Sequence, residues 1–176
     1  MRDHRRKRLS GLAWLALGGV FALASGPGCR YSFSGGSVPP NMKTVAIPIV
    51  QDQSGHGDPA LKDLFTQQLV DAFTSDGSLT LTDRETSDSV LETVVTSVRE
   101  SATVVKPGEQ VSERRITLTA HVTFTDLKLR KTLWEKDFSQ WGDFPSGADI
   151  THRNEGVQEA VRKLTEDILN ETVAGW

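Results

Sequence analysis

Side chains with reactive potential are few and widely spaced in this 176-residue chain. Its single cysteine, Cys29, excludes an internal disulfide, so the thiol is free, paired with another molecule or modified. The four histidines lack the spacing of metal ligands: His4, His56, His121 and His152. The sequence contains no phosphate-binding glycine loop and no nucleophile elbow. These features predict that the protein is not an enzyme and uses no metal or cofactor.

Several cations that could bind an anion lie close together in the second half of the chain. The candidate ligand-binding residues are Lys128, Arg130 and Lys131, with Lys136 further along and Arg114-Arg115 opening the same predicted hairpin. Such a cationic tip can contact the phosphates of a phosphorylated lipid. A merely solvated turn gives the same pattern, because charged tips are common. The aromatic residues that follow supply core or contact surface: Trp134, Phe138, Trp141 and Phe144.

The position of Cys29 favours lipidation over the other fates of a lone cysteine. Residues 1–8 are basic, and residues 9–24 are apolar but shorter than the roughly 20 residues of a transmembrane helix. Small residues then lead to Cys29, as at a bacterial lipobox, although Gly26 replaces the usual aliphatic residue. The alternatives are an ordinary cleaved signal peptide or an uncleaved anchor. We therefore predict that residues 1–28 are a lipoprotein signal peptide and that Cys29 is the lipidation site.

Charge is distributed unevenly along the chain, whose formal net charge is −3. Residues 1–28 contain five basic residues against Asp3, so the remaining residues carry a net charge of −7. An acidic domain is a poor candidate for tracking a phosphate backbone, so we expect no nucleic-acid partner. Residue 30 is Arg and not the Asp that retains enteric lipoproteins in the inner membrane. By that resemblance we expect an outer-membrane location, lipid-anchored on the periplasmic side.

Periodicity predicts the elements that must position these residues. Strands are expected at 44–50, 79–82, 89–99, 115–127 and 133–141, and amphipathic helices at 58–75 and 154–172. The alternation of apolar residues and threonines at 116–125 gives the clearest signal, with one buried face and one polar face. Residues 29–43 read as a flexible tether and residues 44–176 as one domain. The fold class is α+β: two helices pack on one face of a largely antiparallel four-stranded sheet. The expected order is β-α-β-β-β-α, with an extra short strand as an option.

Three segments at the start of the predicted mature chain carry a family resemblance. They are Cys29-Arg30-Tyr31-Ser32-Phe33-Ser34-Gly35-Gly36, Val38-Pro39-Pro40 and Lys43-Thr44-Val45-Ala46-Ile47-Pro48. This opening resembles the LptE family of lipopolysaccharide-assembly lipoproteins. The resemblance implies a lipid-anchored outer-membrane protein with two partners, lipopolysaccharide and the large β-barrel LptD. It further implies that the protein plugs that barrel, helps it assemble and assists lipopolysaccharide insertion into the outer leaflet.

A second resemblance leaves another function open. The order of Val-Ala-Ile-Pro, polar loop, amphipathic helix, short strand and Asp-Arg also resembles lipoproteins related to the secretion pore CsgG and the synthase activator LpoB. That resemblance implies a pore subunit or an activator of a cell-wall synthase. A pore subunit needs a membrane-facing hairpin, and the threonine-rich pattern of residues 116–144 disfavours one.

Overall fold

One mixed β-sheet and two helices make up the described part of the chain. The computed structural model describes residues 41–103, 113–146 and 150–174. The elements are β1 (Thr44–Ala46), β2 (Gln51–Asp52), α1 (Pro59–Asp76), β3 (Thr80–Leu81), β4 (Ser89–Ala102), β5 (Glu113–Asp126), β6 (Lys131–Pro145) and α2 (Ile150–Ala174). The predicted signal peptide and lipidation at Cys29 lie outside the described residues.

The sheet order is β3-β1-β4-β5-β6, and β2 also pairs with β4. Strands β4, β5 and β6 form an antiparallel meander, whereas β1 runs parallel to both β3 and β4. The predicted α+β class with two helices is confirmed. The predicted four-stranded, largely antiparallel sheet is wrong in strand number and in the direction of its first strands. Parallel pairing arises because α1 carries the chain back before β3 and β4 begin, as a crossover connection does.

A proline divides the first predicted strand. Val45 of β1 pairs with Ser89, and Gln51 of β2 pairs with Val94, so both segments follow the same edge of β4. Pro48 lies between them and has no N–H to donate to a ladder. The predicted strand at 44–50 is therefore two short strands. Within the sheet, β1 lies between β3 and β4.

A bulge explains the mixed apolar and polar pattern of β4. The β4–β5 register shifts between Val95 and Ser97, which moves every later β4 side chain to the opposite face. Val95 therefore faces the same side as Val98, although the two residues are three positions apart. Val98 pairs with the buried Leu118 and packs against the core.

The ends of α1 follow the sequence signals closely. The Asp58 carboxylate accepts a hydrogen bond from the Ala60 N–H at 3.0 Å, and Pro59 takes the first helical position. Gly77 ends the helix with a φ of 70° and donates its N–H to the Phe73 carbonyl. The buried stripe of α1 is Leu61, Phe65, Leu69 and Phe73.

Helix α2 packs against β5 and β6 and also contacts α1. It begins at Ile150, four residues before the predicted start at Asn154, because residues 150–153 continue the helix without a break. Gly156 of α2 and Gly142 of β6 lie back to back, so close that a methyl at Gly142 would be 2.0 Å from the Gly156 carbonyl oxygen. This contact fixes the distance between helix and sheet. The core between the layers also includes Met42, which is 4% exposed.

Candidate partner-binding face and basic hairpin tip

One face of the β5–β6 hairpin is not covered by either helix. Along β5 the residues that face the helices are at most 1% exposed: Ile116, Leu118, Ala120, Val122 and Phe124. The residues between them are half-buried: Thr117, Thr119, His121, Thr123 and Thr125. Directly opposite these on β6 stand Trp141, Ser139, Asp137, Glu135 and Thr132. We call these two rows the uncovered face. The predicted apolar–threonine alternation is confirmed. Hydroxyl and carboxylate groups dominate the uncovered face.

His121 links the two strands at the centre of the uncovered face. Its Nδ1 lies 2.8 Å from Asp137 Oδ1, and its Nε2 lies 3.0 Å from Glu135 Oε1. Both ring nitrogens can donate only in the protonated imidazolium, which the two carboxylates therefore favour. The hydrogen bond to Asp137 is the main reason that the pKa of His121 is raised above 6.5. The described residues contain no group of three side chains arranged to hold a metal ion.

The cations at the open end of the hairpin are paired within the chain. Arg115 forms two hydrogen bonds to the Asp143 carboxylate, at 2.7 and 2.9 Å, and its guanidinium carbon lies 4.9 Å from the centre of the Trp141 ring. The pKa of Asp143 is lowered mainly by this hydrogen bond. Arg114 lies 3.3 Å from Glu100. Arg114 and Arg115 open β5, whereas the predicted ligand-binding residues follow its end, about 40 Å away at strand spacing.

The predicted basic residues meet at the β5–β6 turn, which we call the tip (residues 127–131). Lys128 Nζ lies 2.5 Å from Asp88 Oδ1. The other oxygen of this carboxylate accepts the backbone N–H groups of Lys43 and Thr44, at 2.7 and 3.1 Å. The Lys128 hydrogen bond is the main cause that lowers the pKa of Asp88 to about 2. The Lys128 charge is therefore already balanced by a carboxylate of the domain.

Arg130 and Lys131 differ from Lys128 in their surroundings. Both are exposed, and within the described ranges neither forms a side-chain hydrogen bond or ion pair. The Asp126 carboxylate accepts the Leu129 N–H at 2.8 Å, and Arg130 has a φ of 53°. This hydrogen bond and the left-handed residue define the turn. The tip therefore presents two cations that can take an external anion.

The third lysine singled out from the sequence does not belong to the tip. Lys136 faces the helix side of β6, opposite the buried Val122, and its Nζ lies 2.5 Å from Glu171 Oε1 of α2. Sequence reasoning missed Asp88, which holds Lys128 and the start of β1 together. Asp88 is 44 residues from Thr44, and no local pattern signals a contact over that distance.

A family model matches most of the described chain. The model of the LptE family, described as lipopolysaccharide-assembly, matches residues 42–172. The chain belongs to the LptE family. The match spans nearly all the folded elements, and the LptE family is a family of assembly lipoproteins that are not enzymes. No curated protein matches the sequence.

Two solved structures resemble this LptE-family domain. Protein XCC0632 from Xanthomonas campestris is 14% identical, with a TM-score of 0.58 over 78% of this chain and 89% of that one. The hypothetical protein CT253 from Chlamydia trachomatis is 11% identical, with a TM-score of 0.56 over 74% of this chain and 98% of that one. At these identities the likeness concerns the fold alone. Among the described residues, neither helix has the length and apolar character needed to cross a membrane.

Proposed function

We propose that this LptE-family protein is an outer-membrane lipoprotein that plugs an LptD-like β-barrel, helps it assemble and assists lipopolysaccharide insertion into the outer leaflet. The family match over residues 42–172 carries this proposal. It also favours this function over that of a secretion-pore subunit or a cell-wall synthase activator. The anchor would be lipid on Cys29, which holds the domain on the periplasmic side of the membrane.

The uncovered face is the surface that suits a barrel lumen. Lumen-facing side chains of outer-membrane barrels are polar, unlike the apolar band that faces lipid. The uncovered face presents threonines and the His121 cluster, while the apolar side of β5 is buried under the helices. A domain seated with this face against a lumen wall would exchange water for polar partners and keep its own core intact.

The tip is the surface that suits lipopolysaccharide phosphates. Arg130 and Lys131 are exposed and form no ion pair in the part of the chain that the structure describes. Phosphate recognition by cations gains from charge-assisted hydrogen bonds. Lys128 contributes less to this site, because Asp88 already lies 2.5 Å from its ammonium group.

Co-purification tests the barrel partnership. Tagged full-length protein is isolated from solubilised outer membranes, and we expect one large β-barrel at equal stoichiometry. Thr119→Trp places a bulky ring on the uncovered face and should reduce barrel recovery severalfold. Thr74→Trp on the exposed side of α1 is the matched control and should leave it unchanged. Recovery as a self-oligomer, or with a cell-wall synthase and no barrel, would refute the proposal and support the pore or activator function.

Binding of purified lipopolysaccharide tests the tip. Arg130→Glu combined with Lys131→Glu should weaken binding strongly, and Lys128→Glu alone should weaken it less. Lys62→Glu, on the exposed surface of α1, is the control for net charge. If bulk charge and not the tip governs binding, Lys62→Glu should weaken binding as much as Lys128→Glu, because both substitutions change the net charge equally.

A further inference from the structure

The tip combines its cations with an exposed apolar side chain. Leu129 is 68% exposed and lies between Lys128 and Arg130. Its N–H is held by Asp126 at 2.8 Å, so the turn that displays Leu129 is ordered within the domain. An apolar side chain surrounded by basic residues is the composition of protein segments that lie in a membrane interface.

The described domain begins beside this turn. Through Asp88, Lys128 is joined to the backbone of Lys43 and Thr44, so the N-terminal segment enters the domain beside the tip. Cys29 precedes Asn41 by 12 residues. Twelve residues span at most about 40 Å when the chain is fully extended. A lipid on Cys29 would therefore hold the start of the domain within that distance of the bilayer and raise the effective concentration of the tip there.

We propose that the tip is a membrane-contact surface, in which Leu129 lies among the headgroups of the phospholipid bilayer that holds the anchor. Arg130 and Lys131 contact the phosphates of anionic lipids in that bilayer. This inference rests on the lipidation of Cys29 proposed above and is independent of the barrel partner. The loop before β4 carries exposed Asp83 and Glu85 on either side of Arg84, so the net charge of this end is modest and an apolar side chain at position 129 adds to the contact.

The structure supplies a matched control for Leu129. Ile49 is also 68% exposed, but it lies between β1 and β2, next to Pro48 and Val50 and without adjacent cations. Spin labels at Leu129→Cys and Ile49→Cys can be compared in the mature lipidated chain, reconstituted into phosphatidylcholine bilayers with or without phosphatidylglycerol. Because Cys29 is the sole native cysteine and lipid blocks its thiol, each label reports one position.

The measurement is the accessibility of each label to oxygen and to a water-soluble nickel complex. We expect bilayers with phosphatidylglycerol to shelter the label at position 129 from nickel and leave the label at 49 accessible. Replacing Arg130 and Lys131 with Gln should reduce the ratio of sheltered to accessible label about thirtyfold, since each cation near an anionic surface contributes about a fivefold effect.

Three results would overturn the inference. Equal nickel accessibility at positions 129 and 49 would show that the tip does not contact the bilayer. If the label at position 129 is sheltered from nickel only when lipopolysaccharide is added, the tip binds that ligand and not the phospholipid bilayer. Labelling of Cys29, which mass spectrometry detects before reconstitution, would refute the lipidation itself. Only the last result would also contradict the proposed anchoring, and none of them bears on recovery of the barrel.

Discussion

Substituting Gly142 with Ala should separate α2 from the sheet. The added methyl would lie 2.0 Å from the Gly156 carbonyl oxygen and 2.7 Å from its carbon. Both atoms belong to the helix backbone, so no change of rotamer can relieve the clash. A carbon–oxygen contact needs about 3.3 Å, so the helix must move by more than about 1 Å at this point.

The cost follows from what that movement opens. Val157, Ala160 and Val161 are buried on the same helix face, and a gap of about 0.5–1 Å already loses a quarter to a half of the dispersion energy of each contact. Gly142→Ala should therefore lower the free energy of unfolding by about 3 kcal/mol, at the upper end of the usual overpacking range. Equilibrium urea unfolding followed by circular dichroism measures this loss.

Gly156→Ala is the control from the other side of the same contact. Its methyl would lie 3.1 Å from Phe144 Cδ1 and 3.4 Å from Ile116 Cγ2, which are side-chain atoms that can shift. The gain of about 1 kcal/mol for Ala over Gly in a helix offsets much of that crowding. We expect this variant to stay within about 1 kcal/mol of the wild type. Similar losses for the two variants would refute the backbone contact between α2 and β6.

Three further predictions concern single polar groups. Asp88→Asn should lower the free energy of unfolding at neutral pH. The pKa of Asp88 is lowered from 3.8 to about 2, so the difference between the variant and the wild type should disappear as the pH falls through 2. A difference that does not depend on pH would contradict the ion pair. The pKa of His121 is raised in the folded protein, so protonated His121 stabilises the fold fully below pH 6.5, and this effect is lost as the pH rises through the pKa of the folded state. NMR titration of His121 should give a midpoint above 6.5. His121→Gln should remove this part of the pH dependence of unfolding. Thr165→Val should raise the free energy of unfolding by about 1 kcal/mol, because the buried Thr165 hydroxyl finds no hydrogen-bond partner in the described structure; a loss of stability would indicate a partner.

Local signals in the sequence predicted the local features of the fold. Asp58, Pro59 and Gly77 define the ends of α1 by chemistry that acts within a few residues. The threonine alternation of β5 was visible because side chains alternate along a strand and only one face of β5 is buried. The partners of β1 were not predictable in the same way, since parallel pairing with β4 depends on a crossover whose direction no short segment encodes.

Long-range contacts also limited the prediction of the site. The basic cluster at the tip was visible in the sequence because three cations fall within four residues. Their unequal availability was not visible, because the counterion of Lys128 comes from Asp88, 40 residues earlier in the chain. The sequence grouped Lys136 with the basic residues of the tip, but the structure places it under α2. The bulge beside Thr125 and the strand register turn Lys136 toward Glu171.

The two ends of the β5–β6 hairpin show why an external anion should bind at one of them. At the open end, Arg115 donates hydrogen bonds to both carboxylate oxygens of Asp143, so an incoming phosphate would have to displace a bidentate ion pair. At the tip, Arg130 and Lys131 have no such pair within the described residues, and an anion gains their charge without displacing a carboxylate. The same cations lie beside the point where the chain enters from the tether. A ligand or headgroup that carries phosphate is therefore expected at the tip, close to the membrane to which Cys29 would anchor the domain.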